Sequence, residues 1–411
     1  MHSKHTPAAP QPEKPNISLG FIPLTDCAPL AIAQEKGFFR HYGLEVELSR
    51  EASWANIRDK VALNALDGAQ MLAPMPIAAT LGSGLLEQPT ITAFSLSLNG
   101  NAITVSNALY ERLCEIDPEA MQAPRTTAQA LRKLISADQQ AGRPPLSFAM
   151  VYPFSSHNFQ LRLWLASAGI DPEREVRIIV IPPPHMVTNL AAGSIDGYCV
   201  GEPWNSRAVR EGLGRILISG YQIWNNSPEK VLGVKLSWAE QYPETHRALL
   251  MALLQACQWL EAAEHHQEAV EILAGERYIN TPQEDISPAL TGRIRFSRDG
   301  EALQLDDFSV FHRYAANFTW RSHAQWLIKQ MQRWRQIPPE TPVAELAARI
   351  YRPDLYREAA QALGIPVPAQ DHKTEGLHAG PWQLSTAGQP ITMGADLFLD
   401  GAQFSPEVDA E

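Results

Sequence analysis

The chain has 411 residues, enough for two or three domains or for two lobes. A composition of 45% hydrophobic and 19% charged residues is that of a globular protein and excludes wholesale disorder. With 34 Lys and Arg against 45 Asp and Glu the net charge is −11, which excludes the diffuse basic field of a nucleic-acid binder, so any bound anion needs a local site.

Residues 1–15 carry four prolines and no apolar run, and read as a disordered tail. They lack the hydrophobic stretch of a secretory signal. The uncharged run 88–110 is too polar, at Asn99, Gly100 and Asn101, to span a membrane. A cytoplasmic chain without membrane contact is therefore expected. Cys27, Cys114, Cys199 and Cys257 are scattered, so neither a zinc site nor a redox pair is expected.

From residue 17 strands and helices alternate. Residues 17–24 read as a strand, Ala28–Glu35 as a helix stopped by Gly37, and 44–48 as a second strand. Ser53 caps a helix running to about residue 65, and 67–75 enters a third strand. This order predicts a parallel sheet with a ligand crevice at the strand C-termini. Residues 90–105 are strand-like but broken at Asn99, Gly100 and Asn101. A helix over 125–137, a strand over 146–150, a helix over 157–168 and a strand over 176–181 follow, closed by Pro182, Pro183 and Pro184. Residues 186–192 read as a helix and 197–200 as a strand. Long helices are expected over 244–265, with Leu249, Leu253, Ala256 and Leu260 on one stripe, and over 323–335. Beyond Pro366 the composition predicts irregular chain wrapped on the body.

No nucleotide-binding glycine motif or serine-hydrolase elbow is present, and no catalytic centre or cofactor is expected. Glu261, His265 and Glu268 share metal-ligand spacing on one helical face, but a solvated charged face has the same pattern. His185 reads equally as cleft lining or loop. Three segments are candidates for a concave site: Ala52, Ser53 and Trp54 at a helix N-terminus, Tyr152 to His157 at another, and the loop from Trp224 to Lys230. Taken singly, Trp54 also reads as core, Ser155 or Ser156 as a helix cap, and Lys230 as a surface lysine.

The stretches GFIPLTDCAPLAIAQEKGFF, ASWANIRDK, LAPMP, IPPPHMV, CVGEPW and SPEK occur in this order. Together they resemble the nitrate-binding proteins of nitrate/bicarbonate ABC importers. The resemblance implies an α/β, two-lobed, C-clamp (type 2) periplasmic-binding-protein fold with the anion in the cleft. It implies lobe I over 16–102 plus 231–365, lobe II over 103–230, and a C-terminal wrap over 366–411. It further implies Trp54, Asn101, His157 and Lys230 as anion contacts, with Pro183 and Val200 as apolar walls. Nitrate offers only acceptors, so such a site should supply donors and positive charge with few carboxylates. The absence of an export signal makes the chain similar to the NasS-type cytoplasmic nitrate/nitrite sensors. That likeness implies a response-regulator-like, RNA-binding antiterminator as partner, released when nitrate or nitrite binds. A binding component of a nitrate/nitrite importer is the alternative.

Overall fold

Ile17, Leu19 and Phe21 are buried in the first strand, Asn16–Phe21 (β1), of a computed structural model that describes residues 10–83, 87–386 and 388–407. β1 pairs in parallel with Glu45–Arg50 (β2) on one side and Gly68–Leu72 (β3) on the other. The crossovers carry the helices Ala28–Glu35 and Trp54–Ala62, as the alternating pattern predicts. Ser53 accepts from the Asn56 N–H at 3.2 Å and so caps the second of them.

Thr90–Asn99 (β4) and Asn101–Ser106 (β5) are separated by Gly100 alone, yet they belong to different sheets. Asn99 (φ 60) and Gly100 (φ 88) both take left-handed backbone, which asparagine and glycine tolerate best. The sequence break at these residues is therefore the first crossing between lobes. Beyond it come Ser147–Met150 (β6), Arg177–Val180 (β7), Gly197–Gly201 (β8) and Gly214–Ser219 (β9), giving a five-stranded sheet ordered β7-β6-β8-β5-β9. The chain returns through Pro228–Lys235 (β10), antiparallel to both β3 and β4. The first sheet is completed by the short strand Ser309–Val310 beside β4. The two crossings run side by side: the Ser227 N–H donates to Asn99 Oδ1 and the Asn99 N–H to the Ser227 carbonyl, each at 3.0 Å.

The lobe limits differ from the sequence expectation. The second sheet starts at Asn101, and β10, with Lys230 in it, belongs to the first. Nor does 231–365 stay on lobe I. Helix Gln283–Thr291 bridges the lobes, with Ile286 and Leu290 in the lobe I core and Asp285 2.5 Å from Arg210 of lobe II, and the Ile216 N–H donates to the Phe296 carbonyl at 2.9 Å. Periodicity reports that a helix has an apolar face, not which sheet that face meets.

Of the expected tail, residues 1–9 lie outside the described residues, whereas Glu13 and Lys14 are bound to the body. The Glu13 carboxylate accepts from the N–H groups of Glu244 (3.0 Å) and Thr245 (2.9 Å), capping helix Pro243–Glu261 from afar. That helix stops four residues short of the expected end. Among the described residues, no helix is long and apolar enough to cross a membrane.

The C-terminal segment is largely irregular, with one short antiparallel pair, Trp382–Leu384 and Ile391–Met393. It is anchored on the second crossing. The Asn225 N–H donates to the Leu397 carbonyl (2.9 Å) and the Leu399 N–H to the Ile223 carbonyl (2.7 Å), while Trp224 stacks on Phe398 at 4.7 Å. Within this segment Glu375 is fully buried. Burial alone would raise its carboxyl, but Lys373 and His323 outweigh that and hold it at about 2. A depressed carboxylate stabilises the fold above its unfolded value and loses that contribution as pH falls through the folded one. Acid titration is expected to loosen the segment between about pH 4.5 and 2, and Glu375→Gln to remove that component, as followed by tryptophan fluorescence.

Candidate functional site

Strand β10 brings two charged side chains to one place. Consecutive residues of a regular strand face opposite ways, but the pairing with β4 slips between Pro228 and Lys230 and again between Lys230 and Val231. Glu229 and Lys230 are both fully buried. The Lys230 ammonium contacts Glu229 Oε1 and lies 2.7 Å from Asp26 Oδ2. It also sits 5.6 Å from the centre of the Trp54 ring.

Lobe II supplies the other side. Asn101 Nδ2 donates to Glu229 Oε2 (2.5 Å) and to Gln160 Oε1 (3.2 Å), which leaves its Oδ1 to accept from His157 Nε2 at 2.8 Å. His157 Nε2 also stands 3.1 Å from Glu229 Oε1, so its two neighbours are both acceptors and the hydrogen is on Nε2. Gln160 Nε2 donates to Ser227 Oγ (3.0 Å), tying helix Ser156–Ser167 to the second crossing. On lobe I, Asp26 Oδ1 accepts from Gln70 Nε2 at 2.5 Å, and Gln70 Oε1 holds the Ile22 N–H at 2.9 Å.

These residues lie where the topology puts a ligand. Asp26 follows the C-terminal end of β1, Lys230 pairs with Leu72 at the end of β3, and Asn101 pairs with Gly201 at the end of β8. Trp54 and His157 stand in the first turns of capped helices, one from each lobe. Several buried polar atoms here have no partner: Trp54 Nε1, His157 Nδ1, Thr25 Oγ1 beside Asp26, Ser97 Oγ on the residue paired with Lys230, and Ser156 Oγ. Leaving such a group unsatisfied costs about 1–3 kcal/mol, so these groups are available to a polar guest.

The charges are strongly coupled. Burial would raise the Glu229 carboxyl, but Lys230 and His157 hold it well below the usual range. Burial pushes Asp26 up in spite of Lys230. It pushes His157 down, so the neutral imidazole is favoured. The Lys230 ammonium loses solvation, yet Asp26 and Glu229 more than restore it and keep it charged.

Of the residues singled out in the sequence, Trp54, Asn101, His157 and Lys230 come together. Val200 is buried in β8 opposite Ala102, one residue before Gly201, where a Cβ would stand 3.4 Å from Asn101 Oδ1 and from Asp26 Oδ2. Pro183 is buried in the turn that follows edge strand β7, with β6 and β8 standing between that strand and β5, and makes no hydrogen bond to the cluster among the described residues. The expectation of few carboxylates is corrected, since Asp26 and Glu229 both contact the lysine. Sequence reasoning also missed Gln70 and Gln160. Asp26 was reachable from its place just after the first strand; Glu229 was hidden by alternation, which assigns it to the face opposite Lys230.

The metal-like trio is dispersed. Glu261 bonds Arg313, His265 stacks on Trp259 at 4.2 Å, and Glu268 pairs with Lys36 at 2.9 Å. Among the described residues no group of three or more His, Cys, Asp or Glu is placed to hold a metal ion.

Two sheet-and-helix lobes, joined by paired crossings and closed on a buried polar cluster, define a binding protein of the periplasmic-binding-protein fold. The likeness to solved structures agrees. The crystal structure of the periplasmic nitrate-binding protein NrtA from Synechocystis PCC 6803 superposes with a TM-score of 0.83 at 31% identity, over 95% of this chain and 96% of that one. The chain belongs to the NMT1-like family, whose model matches residues 10–274. It is 44% identical over 382 residues to the nitrate import ATP-binding protein NrtC of Synechocystis sp., which covers 92% of this chain and 54% of that protein, so the chain spans about half the length of that relative. The bicarbonate-binding protein CmpA of Synechococcus elongatus is 32% identical over 96% of this chain and 85% of its own length.

Proposed function

We propose that this chain is the anion-binding component of a nitrate/nitrite import system, holding the anion between its lobes. One observation carries the reading: a buried ammonium, Lys230, over an indole face, surrounded by N–H and O–H groups that lack partners. Nitrate and nitrite are weakly basic monoanions that accept and never donate, which suits the Lys230 ammonium, the Trp54 indole N–H and the free hydroxyls of Thr25, Ser97 and Ser156, while Asn101 and His157 hold Glu229 beside them. The cluster is shut off from solvent, so entry requires the lobes to part at their crossings. The relatives are transport proteins, which favours the importer reading over the antiterminator-releasing sensor, and the partners to seek are the permease and ATPase of an importer.

Calorimetry with nitrate, nitrite and sulfate tests this. Nitrate or nitrite is expected to bind, sulfate not; absence of binding by both monoanions would remove the reading. Trp54→Ala is expected to weaken binding by about 2 kcal/mol, near thirtyfold in Kd, through loss of a desolvated cation–ring contact and a donor. Trp334→Ala, which removes a half-buried ring stacked by Arg162 and Arg333, serves as the control and should leave affinity unchanged.

A further inference from the structure

The cluster poses a charge problem that the donor inventory alone does not solve. Asp26 and Glu229 already face the fixed charge of Lys230, all three buried. A monoanion added to them sets three negative charges against one positive in a place sealed from water, and uncompensated buried charge is strongly unfavourable. The two carboxylates are not equally placed to absorb the change. Glu229 is held by three donors, from Lys230, His157 and Asn101. Among the described residues Asp26 has Lys230 and the neutral amide of Gln70. Once an anion engages the ammonium, Asp26 is left with Gln70.

Resting on the anion-binding reading above, we infer that the anion enters together with one proton from solvent, which lodges on Oδ2 of Asp26 and turns that carboxylate from a competitor for Lys230 into an O–H donor to the anion. Charge then balances as before entry. The burial that pushes Asp26 up, and that keeps His157 neutral, acts in the same direction. Nitrate and nitrite bring no hydrogen, so the proton has to come from solvent.

The titratable neighbours of Asp26 come from every packed element. They are Glu229 and Lys230 on β10, His157 on the lobe II helix, and the Cys27 thiol, kept neutral by burial. Next along is Glu202, whose carbonyl accepts from the Thr25 N–H at 2.8 Å. Its carboxyl is turned to the Ser206 N–H and is pushed up by burial to about 7. Glu202 is a second buried carboxyl raised by the same cause, and its uptake has to be separated from that of Asp26.

Calorimetric titration of the full chain with nitrate, in buffers of different ionisation heat, counts protons directly. Uptake of about one proton per nitrate is expected near neutral pH, with affinity falling up to about tenfold per unit rise in pH. Asp26→Asn keeps a donor without a proton, and is expected to bind nitrate with no uptake and a flat pH profile. Glu202→Gln and His157→Gln should both retain the uptake, the latter at lower affinity. A protonated-carboxyl band appearing in the wild-type difference infrared spectrum on nitrate addition checks the same step without relying on a variant. Nitrate binding without proton uptake, uptake that survives Asp26→Asn, or uptake lost in Glu202→Gln overturns the inference alone. No nitrate binding at all defeats the anion-binding reading with it.

Discussion

Replacing Lys230 by glutamine is expected to abolish anion binding and to destabilise the fold by about 3–5 kcal/mol, because removing one partner strands the other charges of a buried set. Asp26 and Glu229 would retain only neutral donors and the imidazole of His157. Lys230→Glu is more severe, adding a third carboxylate to the same closed space. Combining Lys230→Met with Asp26→Asn separates the two effects: part of the stability should return, since Asp26 is no longer stranded while Glu229 still is, and binding stays lost. Thermal unfolding and calorimetry on the three proteins decide this. Unchanged affinity in a folded Lys230→Gln variant would take the lysine out of the site.

Trp224→Ala should cost about 3–5 kcal/mol, the range for truncating a large buried aromatic. The indole is 1% exposed and lies on the second crossing, stacked on Phe398 at 4.7 Å, tilted against Trp326 at 4.5 Å, with the His323 ring edge-on at 5.7 Å. Its loss removes the packing that seats the C-terminal segment as well as core area. Limited proteolysis should therefore release fragments cut after residue 390 from this variant under conditions that leave the wild type whole. A stability loss under about 1 kcal/mol in denaturant unfolding would contradict the role given to this stack.

The local pattern was legible to the residue in places. Ala28–Glu35 is the predicted helix, since Pro29 lies in its first turn and Gly37 follows its end. The break at Asn99, Gly100 and Asn101 was visible, but its meaning was not: a two-residue excursion into left-handed backbone looks the same in a hairpin and in a crossing between sheets. The four polar contacts of the cluster were readable because a resemblance ordered them. Asp26 and Glu229 were passed over because the expected ligand chemistry calls for donors, and composition says nothing about charges that neutralise one another. The pairing slip at Lys230 that brings Glu229 to the same place is a three-dimensional fact with no one-dimensional signature.

The adjacency of the two crossings has an evolutionary consequence. Because Asn99 and Ser227 are bonded to each other, everything between them leaves and rejoins the first sheet at one point. The segment is a cassette with a single junction, and recombination that exchanged it between relatives would have to re-form its contacts with the C-terminal segment and with Asp285 and Phe296. Such an exchange would replace Asn101, His157 and Gln160 while keeping Asp26, Trp54, Glu229 and Lys230. The polar cluster is thus divided three residues to four between the lobes, and a lineage can change its make-up by trading one block of sequence rather than by accumulating point changes across the chain.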